Sequence, residues 1–335
     1  MKKACKALVT GGAGFIGSHI VDELIARGIE TYVIDNLTTG SIDNLATHER
    51  TNDGLLHIVI GDIADVDKLL RNVEGIDVVF HEAAIASVPR SVSHPIQVHD
   101  VNVNATLQLM NYCVKKGVRR MVFASSAAVY GIIHGCQASE EMPCKPNSPY
   151  GASKLAVENY LHSYMSTYGL EAVMLRYFNV YGLKQKNSNY SGVITIFVNK
   201  LLDNEIPTIY GDGSQVRDFV HVRDIVQANM LAMSSASAAG KVFNVASGTS
   251  TSILELLETI KSIVKEKTGI RSENLPRFAP VRPGDMKFGL ASIEKIKTDL
   301  GYSPKVKLRE GISEIIDKAS AKRSEAVLRV RKEVP

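Results

Sequence analysis

Short apolar runs alternate with amphipathic stretches through the first half of this 335-residue chain. Ala7-Leu8-Val9 reads as a buried strand, and Phe15, Ile16, Ile20, Val21, Leu24 and Ile25 then recur at helical spacing. Further strands are expected at Thr31-Tyr32-Val33-Ile34, Val59-Ile60, Asp77-Val78-Val79-Phe80, Arg120-Met121-Val122-Phe123-Ala124 and Glu171-Ala172-Val173-Met174-Leu175. Between them the pattern predicts a short helix over 65–73 and long ones over 97–116 and 149–168. Strands that are apolar throughout, without polar alternation, belong to a parallel sheet covered on both faces. The rhythm therefore predicts an α/β fold, a Rossmann-type doubly wound parallel sheet. Beyond residue 180 it loosens: helical stretches at 193–203, 222–234, 253–267 and 307–322 interleave with short strands such as Lys241-Val242-Phe243-Asn244-Val245. We expect a sheet domain over 1–180 and a smaller C-terminal α/β lobe over 181–325, partly interleaved with it.

A hydrophobic content of 45% fills a sizeable core, and a net charge of +4, spread along the chain, gives no basic patch for nucleic acid. The basic residues gathered between Lys322 and Lys332 read as a solvated helix end. Cys5, Cys113, Cys136 and Cys144 form no C-x-x-C pair, so reduced thiols in the cytoplasm are expected, and no metal site. The first apolar run is too short for a signal peptide or a membrane span.

The chemistry sits where strands end. Thr10-Gly11-Gly12-Ala13-Gly14-Phe15-Ile16-Gly17 joins the first strand to the first helix, with glycines that let backbone approach a pyrophosphate at a helix N-terminus. Asp35 ends the second strand about 20 residues on, where a carboxylate takes the hydroxyls of an adenine ribose. Asn36, not Arg, follows it, which favours NAD over NADP. Asp62-Ile63 can reach the adenine amine, and the small Ala83 and Ala84 after His81-Glu82 leave room for a cofactor; His81 reads as a packing histidine. Ser125-Ser126 end the fifth strand. Then comes Ser148-Pro149-Tyr150-Gly151-Ala152-Ser153-Lys154, in which Ser148 caps a helix and Tyr150 and Lys154 share one face. An ammonium beside a phenol lowers its pKa from about 10 and makes it a usable base.

With these motifs the chain resembles the extended short-chain dehydrogenases/reductases, and among them the nucleotide-sugar 4-epimerases, over residues 5–320. The resemblance also rests on Asp100-Val101-Asn102-Val103-Asn104, Leu175-Arg176-Tyr177-Phe178-Asn179-Val180-Tyr181-Gly182, Tyr210-Gly211-Asp212-Gly213, Arg217-Asp218-Phe219-Val220-His221-Val222 and Arg282-Pro283-Gly284-Asp285. It implies Tyr150 as general base, Lys154 as its electrostatic partner and Ser126 as partner of the substrate hydroxyl. It implies NAD held by Gly11, Gly14, Phe15, Ile16, Gly17, Asp35, Asn36, Asp62, Ile63, Ala83, Ala84, Asn102, Tyr150, Lys154 and Tyr177. A UDP-sugar would meet Ser87, Ser126, Asn179, Val193, Arg217, Arg282 and Asp285.

The implied reaction is inversion at C4 of a UDP-hexose (glucose/galactose, and their N-acetyl-amino forms) through a 4-keto sugar. UDP-glucuronate is the alternative substrate. Related dehydratases and decarboxylases carry an acid just after the active-site serine or threonine, where this chain has Ala127 and Ala128. A reductase, or an NAD-binding protein without turnover, are the remaining alternatives; the latter have lost the Tyr or Lys that are present here. Gly289 stands where epimerases restricted to glucose and galactose carry Tyr, and either opens room for an N-acetyl group or serves a tight turn. Leu183 replaces the proline usual after Tyr-Gly. The family's dimers pair two helices per subunit into a four-helix bundle, which corresponds here to 97–116 and 149–168 with Leu107, Met110, Leu155 and Leu161 among their apolar residues.

Overall fold

The computed structural model describes residues 5–46, 54–133, 135–186, 192–271, 275–281 and 288–333. Seven strands make the main sheet: β1 (Lys6–Thr10), β2 (Glu30–Asp35), β3 (Leu56–Ile60), β4 (Val78–His81), β5 (Arg120–Ser126), β6 (Glu171–Tyr177) and, from far along the chain, Val242–Val245. Their order is Val242–Val245, β6, β5, β4, β1, β2, β3, and every pairing is parallel. Residues of β1, β4 and β5 are almost all inaccessible, as strands flanked by helices on both faces must be. One face packs on α1 (Phe15–Ala26), and the other carries α2 (Ala105–Lys116) and α3 (Pro149–Tyr168).

Chain order along the sheet reverses between β1 and β4, so the crevice for a ligand opens at their carboxyl ends. Gly11, Asp35, Asp62, Glu82, Ser126 and Tyr177 all lie at or just beyond such strand ends. The helix expected over 97–116 begins at Pro95 and passes through a π-type turn, Asp100–Asn104, before α2. Such turns disturb the i→i−4 ladder and gather at functional positions.

Beyond residue 181 the second lobe is built on α4 (Val193–Leu202), α5 (Ile253–Thr268) and the long α6 (Leu308–Glu333), with a core that includes Phe197, Leu201, Leu256, Ile260, Ile312 and Ile316. A three-stranded sheet orders Ser250–Ser252, Val216–His221 and Asn179–Tyr181, and Arg277–Ala279 pairs with Thr208–Tyr210. The same stretch of chain returns Val242–Val245 to the main sheet, and helix Val222–Ser234 packs on α1. At the junction, Leu183 O accepts from the His19 ring at 3.1 Å, and Lys184, at φ 66°, donates to Asp22 (2.7 Å) and to Asn44 O (2.9 Å). The departure from proline at Leu183 thus sits in a loop pinned to the first domain.

Candidate active site

The base-bearing helix starts as its sequence dictates. Ser148 Oγ accepts from Gly151 N at 3.1 Å and Pro149 occupies the first turn. Gly151 lets this end abut the turn Ala127–Tyr130 that follows β5, since a Cβ there would lie 2.4 Å from Ala128 O. The Ser126 hydroxyl stands close enough to Tyr150 to pull the phenol pKa down. Ser125, by contrast, is buried and donates to Glu158 Oε1 at 2.5 Å, and Glu158 in turn binds Arg176 through two bonds of 2.7 and 2.9 Å. Only Ser126 is therefore available to a substrate hydroxyl.

Lys154 is 3% exposed; its Nζ donates to Ala124 O at 2.7 Å and stands 4.8 Å from the centre of the Phe123 ring. Burial lowers its pKa to about 8. The expected depression of the Tyr150 phenol is not found: burial raises its pKa, the Ser126 hydroxyl offsets this in part, and the Glu82 carboxyl adds to the rise. The lysine ammonium is spent on a backbone carbonyl, and desolvation of the phenol outweighs the attraction inferred from spacing.

Around β1 the glycines fit a tightly folded turn. Gly11 has φ +67°, and a Cβ on it would lie 2.8 Å from Ala83 N; one on Gly17 would lie 2.3 Å from Gly11 O. No side chain caps α1 at Gly14 and no acid stands in its first turn, so the amides of Phe15, Ile16 and Gly17 head a helix suited to an anion. The Asp35 carboxylate accepts from Ala13 N (3.0 Å) and Leu37 N (2.8 Å), while Asn36 donates to Asp62 Oδ2 (3.0 Å). Ile63 is nearly buried beside them. His81 bridges Thr10 Oγ1 (2.7 Å) and Thr106 Oγ1 (2.8 Å), and burial drives its pKa down to about 3, which keeps it neutral.

Asn102, expected among the cofactor contacts, is held in place by the chain itself. Its Nδ2 donates to Ile85 O (3.3 Å) and Ser153 Oγ (3.0 Å), and its Oδ1 accepts from Ile85 N (2.8 Å). The π-type turn aims this amide so that it ties the strand-four loop to α3. Ser87 Oγ caps helix Val88–Ser93 by accepting from Arg90 N (3.2 Å), which leaves its own proton to donate.

Asn179, Val193 and Arg217 line a cavity of about 290 Å³ with Tyr210, Gln215 and Phe219. Asn179 donates to Asp218 O (3.0 Å), and Arg217 Nη1 to Val216 O (2.8 Å). Arg282 and Asp285 lie outside the described residues. Gly289 adopts no positive φ, so no tight turn demands glycine there; a Cβ would meet Arg217 Cδ at 3.4 Å.

Sequence reasoning passed over Glu82. Tyr177, expected on the nicotinamide face, donates to Glu82 Oε1 at 2.8 Å and accepts from Asn229 Nδ2 at 2.7 Å. Burial lifts the Glu82 pKa to about 7, against the pull of Tyr177 and Lys154. The available signal was a lone charge between a buried strand and two alanines.

Residues 7–246 match the model of the NAD dependent epimerase/dehydratase family. The chain belongs to that family. As a member of the NAD-dependent epimerase/dehydratase family it is an enzyme whose cofactor is NAD, and the glycine turn, the uncapped N-terminus of α1 and the Asp35 carboxylate fit that group. A putative UDP-glucose 4-epimerase from Methanocaldococcus jannaschii is 39% identical over 92% of this chain and 97% of its own. Two solved family structures superpose with TM-scores of 0.87. One is the UDP-glucose 4-epimerase of Thermotoga maritima with UDP-glucose, 36% identical, covering 95% of this chain and 99% of its own. The other is the UDP-N-acetylglucosamine 4-epimerase of Methanobrevibacter ruminantium M1 in complex with UDP-N-acetylmuramic acid, 39% identical over 96% and 99%.

Proposed function

We propose that this protein interconverts the C4 epimers of UDP-hexoses, UDP-glucose and UDP-galactose together with their N-acetyl-amino counterparts. The observation that carries the reading is Ser126 at the end of β5 beside Tyr150, on the helix that also carries the buried Lys154, with Ala127 and Ala128 where an eliminating acid would have to stand. Ser126 orients the C4 hydroxyl and Tyr150 takes its proton. Bound NAD supplies the hydride acceptor for C4 and afterwards the donor. The resulting 4-keto sugar turns about its diphosphate link and presents its other face. Tyr150 then returns the proton, so the cofactor ends unchanged and none is consumed.

Arg217 and Asn179, together with Arg282 and Asp285, hold the UDP portion in this reading, an arginine fork being suited to phosphate oxygens. The absence of a side chain at Gly289, against the Arg217 stem, supports acceptance of an N-acetyl group. We further propose a homodimer through a bundle of helices from each subunit, in a reducing compartment where its four unpaired cysteines stay thiols.

The test is product analysis by NMR after incubating the purified protein, without added NAD, with UDP-glucose, UDP-N-acetylglucosamine and UDP-glucuronate separately. The C4 epimers of the first two are expected. Turnover of UDP-glucuronate alone would reassign the sugar, and no epimer from any of them would sink the reading.

A further inference from the structure

Glu82 works against the base it adjoins. Its charge raises the pKa of Tyr150, and partly desolvating a carboxylate is itself unfavourable. Yet the fold holds it firmly. It follows β4 directly, beside the glycine turn, where a Cβ on Gly11 would lie 3.0 Å from the Glu82 carbonyl carbon. Tyr177, at the end of β6, donates to its Oε1 at 2.8 Å, and Asn229, buried on the helix behind, fixes that phenol at 2.7 Å. Amide and hydroxyl thus form a chain that holds one carboxyl group where its charge reaches Lys154 and Tyr150. A residue that burdens its neighbours yet is so held serves the site in another way.

We propose that Glu82 is a positioning residue for the cofactor's charge: held by Tyr177 and Asn229, its carboxylate favours the oxidised, cationic nicotinamide over the neutral reduced one. The two states differ by one positive charge on the ring, so a nearby negative charge separates them by Coulomb energy in a partly dry site. Around Glu82 the other ionisable groups are Lys154 and Tyr150 on α3, Tyr177 on β6 and the neutral His81 on β4. Lys154 is the cation among them and favours the reduced form, so Glu82 offsets it. An enzyme that must return every hydride profits from this balance, since it resists being stranded with reduced cofactor. The inference rests on NAD use and goes beyond the reaction proposed above.

The experiment equilibrates purified holoenzyme with a redox dye at pH 8, above the Glu82 pKa of about 7, and reads reduced nicotinamide by absorbance, with no sugar present. Glu82→Gln keeps an acceptor for Tyr177 and removes only the charge; it should shift the bound couple toward the reduced form by about tenfold or more. Tyr177→Phe leaves the charge but frees the side chain, and a smaller shift in the same direction is expected. An unchanged ratio in Glu82→Gln, or a shift confined to Tyr177→Phe, overturns the proposal. Because no sugar turns over, failure of the epimerase reading would leave this result standing, and the converse holds.

Discussion

Tyr150 sits where a phenol ionises reluctantly, between the Ser126 hydroxyl and the Glu82 carboxyl. In the proposed reaction a bound oxidised nicotinamide adds its positive charge to that of Lys154 and so eases loss of the Tyr150 proton. Tyr150→Phe should lower turnover by about 10²- to 10⁴-fold, while bound NAD and melting temperature stay as in the parent. Full activity in that variant would remove Tyr150 from the mechanism. Glu82 also couples stability to pH. Its pKa in the folded protein, about 7, lies above the ordinary 4.5, so the native state binds the extra proton between those values. Its contribution is full below pH 4.5 and is lost as pH rises through 7. In cofactor-stripped protein, Glu82→Gln should melt close to the parent at pH 5 and above it at pH 8; a gap that does not widen with pH contradicts the assignment. Spacing singled out Tyr150 and Lys154, because helix period fixes where such side chains meet, whereas the choice of Ser126 over Ser125 came from the family resemblance. It did not expose the direction of the phenol's pKa, which depends on burial and on Glu82, a neighbour from another strand.

At the scale of elements, the β1–α1 turn is a close-packed joint. A methyl on Gly17 would stand 2.3 Å from Gly11 O, and backbone cannot yield as a flexible side chain can. Gly17→Ala should therefore push α1 off the turn, costing about 1–3 kcal/mol as overpacking does, and the protein should purify with little NAD. A melting scan and the nicotinamide content of the purified protein read both effects; normal NAD content would show that the glycine is not needed for close approach. The parallel strands were legible because burial on both faces makes them apolar throughout, and α3 because Ser148 and Pro149 mark its start. The π-type turn at Asp100–Asn104 was not, since Ile85 and Ser153, far apart in sequence, decide where Asn102 points. Likewise the cavity under Arg217 comes from segments that meet only in the folded lobe.

For the whole molecule, Val242–Val245 closes the edge of the main sheet next to β6 while segments on either side of it line the cavity under Arg217. In the proposed function cofactor and sugar therefore share one frame, and the outer surface remains for assembly. Two of the residues expected on an apolar helix face, Met110 and Leu161, are fully buried in the subunit's own core. Among the exposed apolar side chains, Val92 (64% exposed) and Ile96 (77% exposed) lie on the short helices that pack against α3, with Tyr160 and Tyr168 on α3 itself. Large apolar groups gathered on neighbouring helices are what a partner covers. In the proposed dimer these residues, rather than Met110 or Leu161, form the seam between subunits. Replacing Val92 and Ile96 together by Lys should give a monomer by light scattering with the melting transition still cooperative, because neither side chain supports the subunit core. A dimer that survives both charges would move the interface elsewhere.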